Sequence, residues 1–191
     1  MSLFIEANLR QRARAGTPFN KSLGTVLQER VKVAASATQF DIFLSHSFND
    51  QELILGIMMS LEDMGYKVYV DWVHDGDLHR DRVSPHTAAL LRIRMEMSKC
   101  LFYATTDNSA NSKWMPWELG YMDGHNSKAA ILPVAQYATS SYAGQEYLGV
   151  YPYVVKDQMA NTTTERLWIH KDPTTYVIFE AWLNGTQPYA R

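Results

Sequence analysis

From Phe40 onward the chain alternates short apolar runs with helix-length amphipathic stretches, and no other feature constrains its fold as much. The run QFDIFLSHS, residues 39–47, predicts a strand, with Phe40, Ile42, Phe43 and Leu44 apolar and an abrupt polar end. A helix is expected next over NDQELILGIMMSLEDMGYK, with Asn49 or Asp50 as its cap. Leu53, Ile54, Ile57, Met58 and Leu61 share one face, and Gly65 is its left-handed stop. KVYVDW is the second strand, and a charged loop fills 73–83. Ser84 followed by Pro85 starts another helix, because proline suits the first helical position. CLFYATT then reads as a strand buried on both faces.

A tryptophan-rich helix follows in KWMPWELGYMDG, residues 113–124, and AAILPVAQ is the fourth strand. A weak helix near Ser141–Leu148 leads to YPYVVK as the fifth strand. DPTTYVIFEAWLNG is expected to close the chain as a helix, with Asp172 as cap and Gly185 as stop. Strands alternating with helices in this way predict an α/β fold, a parallel five-stranded sheet with helices on both faces. Residues 1–38 precede that pattern as an N-terminal helical extension, and residues 39–191 form the main domain.

Composition enters mainly through what it excludes. No apolar run approaches the ~18 residues that span a bilayer, and no signal-peptide segment is visible near the start. Cys100 is the only cysteine, so a disulfide framework within one chain is ruled out, and a reduced, cytoplasmic setting is expected. Within an apolar strand, Cys100 itself reads as a small buried hydrophobe. The net charge of −2 conceals an asymmetry. Residues 1–38 hold Arg10, Arg12, Arg14, Lys21, Arg30 and Lys32 against Glu6 and Glu29. That reads as the solvated face of a helix packed beside the domain, and it is too small a footprint for nucleic acid.

In parallel sheets of this class, ligands bind outside the carboxyl ends of the strands. Those ends offer Ser45-His46-Ser47, Asp71-Trp72 and Thr105-Thr106, and the amino end of the tryptophan-rich helix emerges on the same edge. Pro116 pins the start of that helix near Ser112–Met115, which puts Glu118 within its first turn or two, where the helix dipole favours the ionised carboxylate. Trp114 lies one turn earlier on the same face. Two readings stand at this point. Either Trp114, Trp117 and Tyr121 are core and Glu118 is the wet rim, or an indole beside a carboxylate cradles a nucleoside.

Other candidates are weaker. Ser45 beside His46 is a poor nucleophile pair, since adjacent turn residues seldom face one another, and both suit a polar ligand better. Ser47 or Asn49 could equally begin the next helix. HDGDLHRD, residues 74–81, mixes carboxylates and histidines without matching a calcium-loop template. His86, His125 and His170 have no evident partners in the sequence. No G-x-x-x-x-G-K-[ST] or post-strand G-x-G-x-x-G occurs, and the first strand ends without the acidic pair of a magnesium-dependent phosphoacceptor.

Taken together, FDIFLSHS, LEDMGYKVYVDW, the loop at 73–83, SKCLFYATTDNSANSKWMPWELG and ILPV resemble a TIR (Toll/interleukin receptor) domain over about residues 40–136. The resemblance implies a flavodoxin-like fold of the stand-alone bacterial, NAD⁺-cleaving type. Enzymatic members carry a W-x-x-x-E pattern after the third strand, which Trp114 and Glu118 match. By that likeness Glu118 is the catalytic acid. Trp114, Ser45, His46, Ser47, Asp71 and Trp72 line the pocket, and Arg80 and Arg82 lie where a pyrophosphate could be met. NAD⁺ is then substrate, with no metal and no resident cofactor. Its nicotinamide N-glycosidic bond is cleaved to ADP-ribose or to a cyclic isomer. Implied too are self-association, a role in antiphage signalling and a downstream effector protein that senses the product, with neither nucleic acid nor membrane as partner. Two other classes remain open, a non-enzymatic TIR scaffold and a nucleoside 2-deoxyribosyltransferase-like hydrolase.

Overall fold

The computed structural model describes residues 2–22, 24–26, 29, 39–70, 84–139, 142–144, 146–159 and 162–191. Its strands are β1 (Phe4–Ile5), β2 (Phe40–Ser45), β3 (Val68–Tyr69), β4 (Ser98–Thr105), β5 (Ala129–Ala135), β6 (Tyr153–Gln158), β7 (Glu165–Asp172), β8 (Thr175–Ile178) and β9 (Tyr189–Ala190). Among the described residues the helices with both ends in view are α1 (Glu6–Ala15), α2 (Gln51–Asp63), α3 (Pro85–Glu96), α4 (Trp114–Asn126) and α5 (Phe179–Leu183), and residues 24–26 are helical as well.

Five strands run parallel in the order β3-β2-β4-β5-β6, as the strand–helix alternation predicts. The α/β class with a mostly parallel central sheet is therefore present. Side chains alternate across this sheet and build two cores. Ile42, Leu44, Phe102 and Leu132 pack on one face against Ile54, Ile57 and Met58 of α2. Phe43, Leu101, Tyr103 and Ile131 pack on the other against α3 and α4, through Leu91, Met95, Met115 and Leu119.

Helix boundaries follow local chemistry. Ser84 accepts a hydrogen bond from the Thr87 amide at 3.1 Å, with Pro85 opening α3. Past the end of α2, Gly65 takes φ +91°, a left-handed conformation that costs glycine nothing.

Two regions depart from expectation. The segment 172–185, expected as a helix, is a hairpin turn, strand β8 and then a helix of only five residues. Asp172 Oδ1 accepts from the Thr174 amide at 2.8 Å and its hydroxyl at 2.9 Å. A carboxylate that binds the backbone two residues on serves a turn as readily as a helix cap. β7, absent from the sequence reading, pairs antiparallel with both β6 and β8. Near Ser141–Leu148 the described residues hold a 3₁₀ turn, Glu146–Val150, in place of the weak helix.

The N-terminal segment contributes a strand as well as a helix. β5 and β6 share only the register pair Ile131–Tyr153, and β1 pairs further along with Val134 and Ala135. Ser2 bridges to Lys156 of β6, so the segment fills the space where β5 and β6 separate. α1 then lies on α2 through buried Leu9 and Ala13. The helices approach so closely at Gly56 that a Cβ there would stand 2.1 Å from the Leu9 carbonyl oxygen. Arg10 and Arg14 both reach Glu52, at 2.6 and 2.7 Å, and Arg12 reaches Asp63 at 2.6 Å. Three arginines of the basic lead thus face acids of α2, while Lys21 pairs with Glu29 of its own segment. Ion pairs this open to solvent on at least one side are worth about 1 kcal/mol or less each, so the apolar contact does most of the holding.

Candidate active site

Ser45 ends β2 on the same sheet face as Phe43, the face covered by α4, with Tyr103 beside it in register. Its hydroxyl donates to Glu118 Oε2 at 2.6 Å. Glu118 is 0% exposed and Trp114, four residues earlier, is 7% exposed. α4 begins at Trp114, within the window that Pro116 predicts, and the Met115 amide donates to Ser112 Oγ at 3.3 Å. Trp114, Met115, Glu118, Leu119 and Met122 form the buried side of the helix. Glu118 therefore does not sit on a wet rim. A carboxylate in such a place costs several kcal/mol unless hydrogen bonds compensate it, and Ser45 supplies one.

The next turn outward is aromatic and half-buried. Trp117 meets Trp114 edge-to-face at 5.4 Å and stacks on Tyr121 at 5.8 Å, while Arg92 of α3 lies over both Trp117 and Tyr121. These contacts fasten α4 to α3 and leave Trp114 facing inward.

His46 is fully buried, and its Nδ1 lies 2.7 Å from the Leu44 carbonyl oxygen. A carbonyl only accepts, so Nδ1 carries the proton. Ser45 and His46 are thus engaged in different directions, one with Glu118 and one with the backbone. Ser47 is buried and its carbonyl accepts from the Asp50 amide at 3.2 Å, without a side-chain cap. Asp71, Trp72, Arg80, Arg82 and the 74–81 histidine–carboxylate run lie outside the described residues. Among the described residues no group of three His, Cys, Asp or Glu could hold a metal, and no helix is long and apolar enough to cross a membrane.

Two further residues join the site. Asp50, 7% exposed, accepts from Thr106 Oγ1 at 2.5 Å and from Asn108 Nδ2 at 2.7 Å. Tyr103 is buried, and its phenol is pushed upward by burial, with Tyr147 and Glu118 adding to the effect. The sequence offered Asp50 only as a helix cap and Tyr103 only as one apolar position in a buried strand. The other singled-out residues lie elsewhere. The Cys100 thiol donates to the Asp41 carbonyl at 3.3 Å and burial pushes its pKa well up, as a small buried hydrophobe requires. His125 stacks on Tyr121, His170 stacks on Tyr176, and His86 is exposed at the start of α3.

The arrangement suits one kind of chemistry. A carboxylate shielded from water, bonded to a hydroxyl and one helical turn from an indole can stabilise positive charge that develops beside it.

No family model matches the chain. A protein of Bacillus cereus (strain MSX-D12) named "Probable 3' cyclic ADP-D-ribose synthase ThsB'" is 49% identical over 165 residues, covering 86% of each chain. A cyclic ADP-D-ribose synthase candidate of Cytobacillus dafuensis, TIR2, is 39% identical over 83 residues, 43% of this chain and 22% of that protein.

Proposed function

This chain belongs to the bacterial TIR-domain family, and from that premise we propose that it cleaves NAD⁺ to nicotinamide and a cyclic ADP-ribose isomer. One observation carries the reading: Glu118, wholly buried, hydrogen-bonded to Ser45 at 2.6 Å and one turn beyond Trp114, at the carboxyl edge of a parallel sheet.

The chemistry asks for such a group. The bond between nicotinamide and its ribose breaks with both electrons passing to the pyridine nitrogen, so the charged ring leaves as a neutral molecule and needs no proton. Positive charge remains on the ribose as an oxocarbenium-like centre. The Glu118 carboxylate stabilises that centre electrostatically, most effectively where water is excluded. Ser45 holds the carboxylate in orientation, and Trp114 flanks the sugar. His46 and Ser47 line the same edge, and Asp71, Trp72 and Arg82 complete the proposed pocket. NAD⁺ is substrate here and no resident cofactor takes part.

Two captures of the ribosyl centre balance. Water gives ADP-ribose and a proton. A nucleophile of the same molecule, the adenine or a ribose hydroxyl, gives a ring and a proton. The relative named for a 3' cyclic product favours ring closure through a ribose hydroxyl. Self-association, a cytoplasmic setting and delivery of the product to an effector protein in bacterial defence belong to the same proposal.

The test is direct. Purified protein is incubated with NAD⁺ and, separately, with deoxynucleosides, and released base is followed by chromatography. Release of nicotinamide that Glu118→Gln abolishes is the expected result. Turnover of deoxynucleosides alone would assign a deoxyribosyltransferase-like activity, and inertness at high protein concentration would leave a scaffold. Cyclic and hydrolysed products differ in mass by one water.

A further inference from the structure

Asp50 is the last residue before α2 and stands at its N-cap position, yet its side chain makes no capping bond to that helix. An aspartate cap is worth about 0.5–2 kcal/mol, so the carboxylate has been turned away from a favourable local use. It accepts instead from Thr106 and Asn108, which lie 56 and 58 residues later in the chain. Both donors belong to the segment that joins β4 to α4.

That segment is wound tightly. Ser109 Oγ donates to the Thr106 carbonyl at 2.8 Å, and the Ser109 amide bonds the same oxygen at 3.1 Å. The Asn111 amide bonds the Asn108 carbonyl and the Ser112 amide bonds the Ser109 carbonyl, each at 3.1 Å. Ser112 Oγ then receives the Met115 amide in the first turn of α4. A continuous line of hydrogen bonds thus runs from the Asp50 carboxylate to the helix that carries Glu118. On the other side Asp50 is tied to the Ser47 carbonyl, two residues beyond Ser45.

We propose that Asp50 is a positioning residue of the site: it fastens the β4–α4 junction to the β2–α2 junction and thereby holds Glu118 against Ser45. The proposal rests on the reading of Glu118 as the reacting carboxylate. Without the clamp, the two junctions lose the Thr106 and Asn108 bonds, which are made by groups that need not themselves meet substrate. The start of α4 can then drift relative to the end of β2, and a displacement of about 1 Å between reacting groups costs up to roughly a hundredfold in rate.

The experiment compares Asp50→Ala, Asp50→Asn and the double variant Thr106→Val with Asn108→Ala. Asparagine keeps the clamp, since its carbonyl accepts from Asn108 while its amide donates to the Thr106 hydroxyl. In nicotinamide release, kcat of Asp50→Ala falls about ten- to a hundredfold with KM within about threefold, and Asp50→Asn stays within about threefold of the starting protein. The double variant matches Asp50→Ala, and adding Asp50→Ala to it brings no further loss. The double variant also decides the matter if Asp50→Ala fails to fold.

A second readout needs no activity. With ¹³C-carboxyl-labelled glutamate, the Glu118 signal, identified by its disappearance in Glu118→Gln, moves in Asp50→Ala and returns in Asp50→Asn. Were the starting protein to release no nicotinamide, the proposed function would fall, and this signal would still decide the clamp. An unmoved Glu118 signal in Asp50→Ala overturns the proposal, as does kcat within twofold of the starting protein.

Discussion

Replacing Ser45 by alanine removes one donor from a carboxylate that is otherwise sealed from water. The Ser45 hydroxyl donates to Glu118 Oε2 at 2.6 Å, a distance typical of an O–H bond to an ionised acceptor. Hydrogen bonds to charged groups contribute about 1.5–3 kcal/mol. If the bond serves to aim the charge at the developing ribosyl cation, its loss is felt in the transition state. At about 1.36 kcal/mol per factor of ten, kcat/KM for NAD⁺ then drops roughly ten- to 150-fold. The same change removes one hydrogen bond from a buried carboxylate and destabilises the fold by about 1–3 kcal/mol. In a chain of this size that lowers Tm by roughly 2–4 °C per kcal/mol. The assay is nicotinamide release across a range of NAD⁺ concentrations, with thermal unfolding of the same samples. Should Ser45→Ala keep kcat/KM within twofold while Glu118→Gln is inert, the hydroxyl does not orient the carboxylate and the reasoning from this contact is wrong.

Three other outcomes are expected. Gly56→Ala forces α1 off α2, because the new methyl would meet the Leu9 carbonyl oxygen at 2.1 Å; overpacking of this kind costs about 1–3 kcal/mol, and an unchanged urea midpoint would refute the close approach. His170 is buried and its pKa is lowered, first by burial, so the unfolded chain takes up its proton more readily. Stability is therefore intact above the unfolded value of about 6.5 and declines as pH falls below it, by at most about 1.4 kcal/mol per unit. His170→Phe flattens that decline, and an identical pH dependence in the variant would count against the assignment. Cys100, the only cysteine, is buried with its thiol pushed well up, so a thiol reagent reacts slowly with native protein and quickly in urea; equal rates in both would contradict its burial.

The parallel sheet was legible because strands buried on both faces write short apolar runs, and because the helices between them keep one apolar stripe each. β2, α2, α3, β4, α4, β5 and β6 all follow from that grammar. β1 is two residues long, too short for any periodicity, and owes its existence to a gap between β5 and β6 that arises only in the folded sheet. β7 buries Leu167 and Ile169 on one side but carries charges at both ends, so its alternation is faint. Asp172 misleads for a physical reason: the same carboxylate-to-backbone bond closes a turn or caps a helix, and only pairing with β7 decides which.

At the site, the W-x-x-x-E spacing pointed to Glu118, yet helix periodicity alone left its side open. A finer signal was present. Glu118 falls three residues after Met115 and four before Met122, so it occupies a core position of an apolar stripe. Asp50 left no such trace, because its partners lie more than fifty residues away and its type and place are those of an ordinary cap. The distribution of buried polar groups makes up for that silence. Among the described residues, Ser45, His46, Ser47, Asp50, Ser109 and Glu118 are buried polar groups gathered where β2 and β4 end, while only Thr87, Ser98 and His170 are buried elsewhere. Each buried polar group costs free energy unless it is bonded, and a core made for stability alone would spread few of them widely. Their concentration at one sheet edge supports the two proposed roles, in which the Ser45 hydroxyl aims the Glu118 carboxylate and the Asp50 carboxylate fixes the start of the helix that bears it. Substitutions that keep this network bonded should therefore be mild, and those that leave any single member without its partner should affect activity well before they affect the fold.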